Sequence, residues 1–364
     1  MNHLSRLVVI LSLLPATSAT AAPADAQRIE KSWQTKFDNW ALETRVAATP
    51  EARVKVWSSR PDATEFVRQM WDVIGPALNE DWSLEPASWL LRLAPGLVTR
   101  QPDGSSVPTF AKEVDAIYKT IESRHLKSPK LIPVCMAMAA TQNPRALSLL
   151  EKIQTTNPDG KIQGVAALGA SMILKSLGDN PDLMRKRLTY LTQAIKLSCE
   201  VDVGGTTVAK LAEDELYIIQ HLSKGRIAPD LIGVDSGGRP LKLSDHKGKV
   251  IVLLFWNNTM PEGIQVVKIT AAMARKFQSR PFIVIGVNSD TLKELRDLEA
   301  DSTIPWINFS DPTNQLAEQY RVGARPLVYV LDGERKIHYA GAPGSFTELT
   351  AEALLSEMKT PVKE

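Results

Sequence analysis

The hydrophobic pattern of this chain changes period near Ser223, and that switch limits the fold more than any other feature. Between about Gln27 and Ser223, apolar residues recur three and four apart, in stretches such as 28–48, 63–78, 110–124 and 182–197, with Pro, Gly, Asn and Asp between them. This spacing predicts short amphipathic helices joined by short turns. Past the breaker-rich junction 224–230, apolar runs of strand length alternate with helix-length segments, a βαβ pattern. Residues 250–255 form an unbroken apolar run, predicting a central strand covered on both faces, and 281–287 form a second. Residues 327–331, the Asp332-Gly333 turn and 336–339 predict an antiparallel hairpin. Helices are predicted at 263–278, 291–300, 314–320 and 347–359. The 364 residues suffice for two domains. The reading is an all-α domain of helical hairpins over 27–223, then an α/β domain over 225–364 whose central mixed sheet is flanked by helices.

Six of the eight tryptophans (Trp33, Trp40, Trp57, Trp71, Trp82 and Trp89) fall in the first quarter of the chain. They read either as fillers of helix–helix seams or as an aromatic surface for carbohydrate or peptide. Gly164, Ala166, Ala167, Gly169 and Ala170 are small residues at close helical spacing, as in stacked hairpins of the tetratricopeptide kind, although no clean repeat period is present.

Residues 1–22 carry Arg6, an apolar run over 7–14, Pro15 and then small residues. This predicts a cleavable signal peptide, cut after Ala19-Thr20-Ala21 or Ala24-Asp25-Ala26. The apolar run is far shorter than the ~20 residues of a membrane span, and no later run is long enough. The expected location is therefore periplasmic or secreted, without a transmembrane segment. The 43 Lys+Arg balance 41 Asp+Glu to a net charge of +2, which provides no field for nucleic acid. Two cysteines, Cys135 and Cys199, and five scattered histidines point to no metal site, and nothing in the sequence points to a cofactor.

Residues 225–364 resemble the thioredoxin-like superfamily, and more narrowly its TlpA-like redoxins. Four landmarks carry the resemblance. Ala228-Pro229-Asp230 with 235–245 is similar to the family's opening hairpin, and 248–256 to the strand that delivers its active-site loop. Residues 304–306 and 310–322 match its downstream strand and helix, and Gly323-Ala324-Arg325-Pro326-Leu327 falls where the family carries a cis-proline loop. The resemblance implies a Cys-x-x-Cys after Phe255-Trp256, where a helix start lowers the first thiol's pKa. In this chain Met260 and Gly263 occupy those two positions, and no cysteine lies between Glu200 and Glu364. A thioether cannot form a mixed disulfide, so thiol–disulfide exchange at this site is chemically barred.

What remains is a scaffold that could hold an extended peptide or a protein partner: Trp256, Thr259, Met260, Pro261, Glu262, Arg325 and Pro326. Glu262 reads as a solvent-facing complement to the helix dipole or as a partner of Arg325. Cys135 and Cys199 read either as a disulfide between neighbouring hairpins or as two separate buried thiols. Two functions compete. One is non-catalytic binding or scaffolding outside the cytoplasm. The other is the thiol–disulfide oxidoreductase or antioxidant activity that the resemblance implies, using Cys135, Cys199 or a partner's thiol.

Overall fold

A computed structural model describes residues 21–358 apart from 48, 142, 179, 259–260 and 301–302. All but the last two residues of the expected signal peptide over 1–22 thus lie outside the described residues.

The helical region contains α1 (Ala21–Val46), α2 (Pro50–Ser58), α3 (Thr64–Ile74), α4 (Leu84–Leu93), β1 (Val98–Arg100), β2 (Ser106–Pro108), α5 (Ala111–Thr120), α6 (Ile132–Ala139), α7 (Pro144–Thr156), α8 (Gly160–Ser176), α9 (Pro181–Ser198) and α10 (Val208–Tyr217). The breakers seen in the sequence act as caps. The side chains of Asn143, Asp159, Asn180 and Thr207 accept backbone N–H bonds at the starts of α7, α8, α9 and α10, and Pro144 and Pro181 occupy first helical positions. The small residues of α8 have the predicted use: its middle is buried, and α6, α7 and α9 pack around it. A Cβ at Gly164 would meet Ser198 Oγ at 1.6 Å, and one at Gly169 would meet the Cys135 carbonyl at 3.2 Å.

The tryptophans serve packing. Trp33, Trp40 and Trp89 are buried, and Trp40 meets Trp57 edge-on with ring centroids 5.0 Å apart. One departure from the expected all-α region is the β1–β2 hairpin. Asp103-Gly104 makes its turn, with Gly104 at φ +84° and β-branched Val98, Thr99 and Val107 on the arms. A helical period search passes over so short an element.

The α/β region runs β3 (Ile232–Val234), β4 (Pro240–Lys242), β5 (Val250–Trp256), α11 (Pro261–Lys276), β6 (Phe282–Asn288), α12 (Leu292–Ala300), β7 (Ile307–Ser310), α13 (Gln315–Gln319), β8 (Leu327–Leu331), β9 (Ile337–Gly341) and α14 (Ser345–Glu357). The five-stranded sheet has the order β7-β6-β5-β8-β9, parallel through β5, β6 and β7 and antiparallel at β8 and β9. β5 is buried at every residue, as its unbroken apolar run requires. Its side chains alternate: Val250, Val252, Leu254 and Trp256 join the core shared with α11, α12 and α14. Ile251, Leu253 and Phe255 face a second core with Phe309, Leu316 and Tyr320. Leu222, from the end of the helical region, belongs to that second core, and Tyr217 and Ile218 pack against it. No helix among the described residues is long and apolar enough to cross a membrane.

Candidate functional site

The carboxyl ends of β5 and β6, the start of α11 and the loop before β8 converge at one end of the sheet. The Arg325–Pro326 peptide bond is cis, where the resemblance placed it. The loop leaving β5 is tied down by a buried acid. Asn258 donates its backbone N–H to both carboxylate oxygens of Asp290, at 3.0 and 2.8 Å, and Asn288 Nδ2 donates to the same group at 2.8 Å. Asp290 is only 3% exposed. Burial pushes its carboxyl above the usual range, against the pull of the Asn288 and Asn258 hydrogen bonds.

Gly263, at the position of the second motif cysteine, is buried. A Cβ there would lie 2.2 Å from the Asn257 carbonyl oxygen, a backbone atom that cannot swing aside. The missing dithiol therefore leaves no open cradle at that residue. Thr259 and Met260, and the side chains of Pro261 and Glu262, lie outside the described residues, and with them the Glu262–Arg325 pairing. The described partner of Arg325 is Asn314, whose Oδ1 accepts from Arg325 Nη2 at 2.6 Å. Burial holds the half-buried guanidinium below its usual range, opposed by the charges of Asp311 and Asp290.

Trp256 corrects an expectation. Read in the sequence as part of a binding face, it is fully buried. Its indole N–H donates to Asn308 Oδ1 at 3.2 Å, and that oxygen also accepts from Trp306 Nε1 at 3.1 Å. Trp256 cannot touch a partner; it anchors the end of β5.

A second correction concerns the cysteines. The possible disulfide is not formed, and both thiols are free. The backbone of Cys135 and the residues just before Cys199 pack at different points of α8. Cys135 lies at Gly169, and Ser198, the neighbour of Cys199, lies at Gly164. Burial pushes the Cys135 thiol up to about 12, while Cys199 is half-buried.

Sequence reasoning missed one feature of this end of the molecule. Arg53 of α2 forms an ion pair with Glu294 of α12, one turn beyond Asp290. Burial alone would raise Glu294, but hydrogen bonds from Thr291 and Arg53 outweigh it and hold the carboxyl below its usual range. The two residues are 241 positions apart, a pairing no local pattern announces.

With this geometry in place, comparison with known proteins is informative. Residues 224–340 match the AhpC/TSA family. That match spans the five strands and the cis-proline loop. The carboxy-terminal part of the chain is a thioredoxin-like domain of the redoxin kind. The peroxiredoxin Bcp of Bacillus subtilis is 30% identical over 99 residues, covering 27% of this chain and 63% of that protein. The thiol-disulfide oxidoreductase ResA of the same organism is 24% identical over 119 residues, covering 32% and 66%. This chain thus spans slightly under two thirds of both relatives. The thioredoxin domain of a thiol-disulfide oxidoreductase from Bacteroides vulgatus aligns with a TM-score of 0.34 and 23% identity, over 36% of this chain and 98% of that one.

Proposed function

We propose that this protein is exported and non-catalytic: a helical region joined to a redoxin domain without thiol chemistry, which binds a protein or extended peptide in the periplasm or envelope. The carrying observation is the absence of any cysteine from Glu200 to Glu364, in a domain whose relatives bear redox names. The backbone crowding at Gly263 supports the same reading, since a side chain at that position would meet the Asn257 carbonyl oxygen. The binding face in this proposal comprises Thr259, Met260, Pro261, Glu262, Arg325 and Pro326, with Trp256 behind it as an anchor.

Titration of fluorescent extended peptides against the full chain tests this reading. Binding should weaken at least tenfold in Arg325→Glu and be unchanged in Cys135→Ser/Cys199→Ser. Absence of peptide binding, or indifference to Arg325→Glu, would contradict it.

The names of the relatives favour a second reading, thiol–disulfide exchange through Cys135, Cys199 or a partner's thiol. A thiol at about 12 is almost wholly protonated at neutral pH, so Cys135 makes a poor nucleophile. Cys199 ends α9 and so lacks the positive helix start that activates a thiol.

A further inference from the structure

We propose that the junction between the helical region and the redoxin sheet carries an anion site, a cleft for a small dianion such as a dicarboxylate or a phosphate group. The site is independent of the function proposed above, since none of the residues lining it belongs to the face around Arg325. A cavity of about 310 Å³ opens between the end of α8, the first half of α9, the segment after α10 and strand β9. That volume lies at the lower end of the ordinary range for small-ligand sites, which suits a ligand of few heavy atoms.

Charge identifies the occupant. Lys175, Arg187, Lys224 and His338 line the cleft, and no aspartate or glutamate does so among the described residues. Arg187 Nη2 donates to Glu215 Oε2 at 2.9 Å, and Lys175 Nζ donates to Oε1 of the same carboxylate at 2.6 Å. One acid thus serves two cations, with both of its oxygens committed. Exposed Lys224 adds a third cation, with no acidic partner among the described residues. His338 Nε2 lies 2.9 Å from Asp332 Oδ2, and the other oxygen of that acid accepts the backbone N–H groups of Glu334 and Lys336, so Asp332 belongs to its own turn. Three cations against Glu215 leave an excess of two positive charges, as large as the net charge of +2 on the entire chain.

Helix-end complementarity accounts for Lys175, in the last turn of α8, but not for Arg187 within α9 or Lys224 beyond α10. Nor is Lys224 on a loose tether. The Gly225 N–H donates to the Ile337 carbonyl at 2.7 Å and the Ile337 N–H to the Arg226 carbonyl at 2.8 Å, so the segment that carries Lys224 is paired to β9. The hydroxyls of Ser223 and Tyr339 already donate to the carbonyls of Ile218 and Ala342, at 3.1 and 2.9 Å, and recognition therefore falls to the cations. The apolar walls formed by Ile218, Leu222 and Ala340 strengthen their joint field. Like charges so placed repel one another; a dianion neutralises the excess and ties the helical region to β9.

The test is calorimetric titration of the full chain with succinate and with inorganic phosphate, at an ionic strength held constant by sodium chloride so that general salt attraction cancels. Succinamide, which has the shape of succinate without its charge, is the control ligand. At least one dianion should bind and succinamide should not, and the comparison of succinate with phosphate assigns the acid group. Lys224→Gln should weaken binding about tenfold, the effect of one hydrogen bond to a charged group, and Lys224→Arg should retain it. Lys293→Gln, which removes an exposed lysine from α12, should leave binding unchanged. Binding of neither dianion, equal binding of succinamide, undiminished affinity in Lys224→Gln, or an equal loss in Lys293→Gln would each overturn the proposal.

Discussion

Gly286 and Gly263 decide the local structure around the vacated site, each for lack of a side chain. At Gly286 a Cβ would fall 1.9 Å from Asn308 Oδ1 and 2.8 Å from Trp256 Nε1, inside the bond that anchors β5. Gly286→Ala should therefore destabilise the protein by about 2–3 kcal/mol, read as a lower urea midpoint with an unchanged slope. At Gly263 the clash is with backbone. Met260→Cys/Gly263→Cys should accordingly lose on the order of 2 kcal/mol and still fail as a reductase, because the loop must move before a second sulfur fits. A double variant of unchanged stability and restored turnover would show the loop to be more accommodating than this account allows. The loss of both motif cysteines was legible in the sequence, because a motif is contiguous. The clamp of Trp256, Trp306 and Asn308 was not, since its members come from separate strands and connections. Nor was the burial of Trp256: an aromatic at a strand end can face the core or the partner, and only the pleat decides.

At the scale of elements, caps and apolar periods were readable because they act within a few residues. Asn143-Pro144 and Asn180-Pro181 start helices as such pairs should. The docking of α2 on α12 was invisible, since it rests on one ion pair between distant segments. Arg53 is 12% exposed in its side chain and Glu294 30%, so the pair is partly sheltered from solvent and contributes on the order of 1 kcal/mol. The sign of its pH dependence follows from the lowered Glu294 carboxyl. A depressed folded-state value means that the stabilisation is present above the unfolded carboxylate value of ~4.3 and is lost as pH falls through the folded value. Glu294→Gln should thus melt lower than wild type at pH 7, with the gap closing toward pH 3. A gap that widens on acidification would rule out this assignment. The same scale governs α8: Gly164→Val should cost about 1–3 kcal/mol by pushing against Leu197 and Ser198 and so driving α9 away from α8.

Across the whole molecule, the change of sequence grammar near Ser223 does not coincide with a gap in packing. Leu222 belongs to the core beneath the redoxin sheet, and Tyr217 and Ile218 lie against it. Arg321 stacks over the Tyr217 ring at 4.4 Å and pairs with Asp214 at 2.7 Å. A fragment starting at 225 should therefore expose part of the inner face and melt lower than the same domain in the full chain. Restoring residues 214–224 should recover part of that loss. The molecule retains the redoxin sheet and cis-proline loop, while its only thiols sit in the helical region, one of them deeply buried. The direct test of the central claim is insulin reduction by dithiothreitol, run with wild type and with Cys135→Ser/Cys199→Ser. The account predicts that neither protein accelerates the reaction over the uncatalysed background. Turnover by wild type that disappears in the double variant would contradict it.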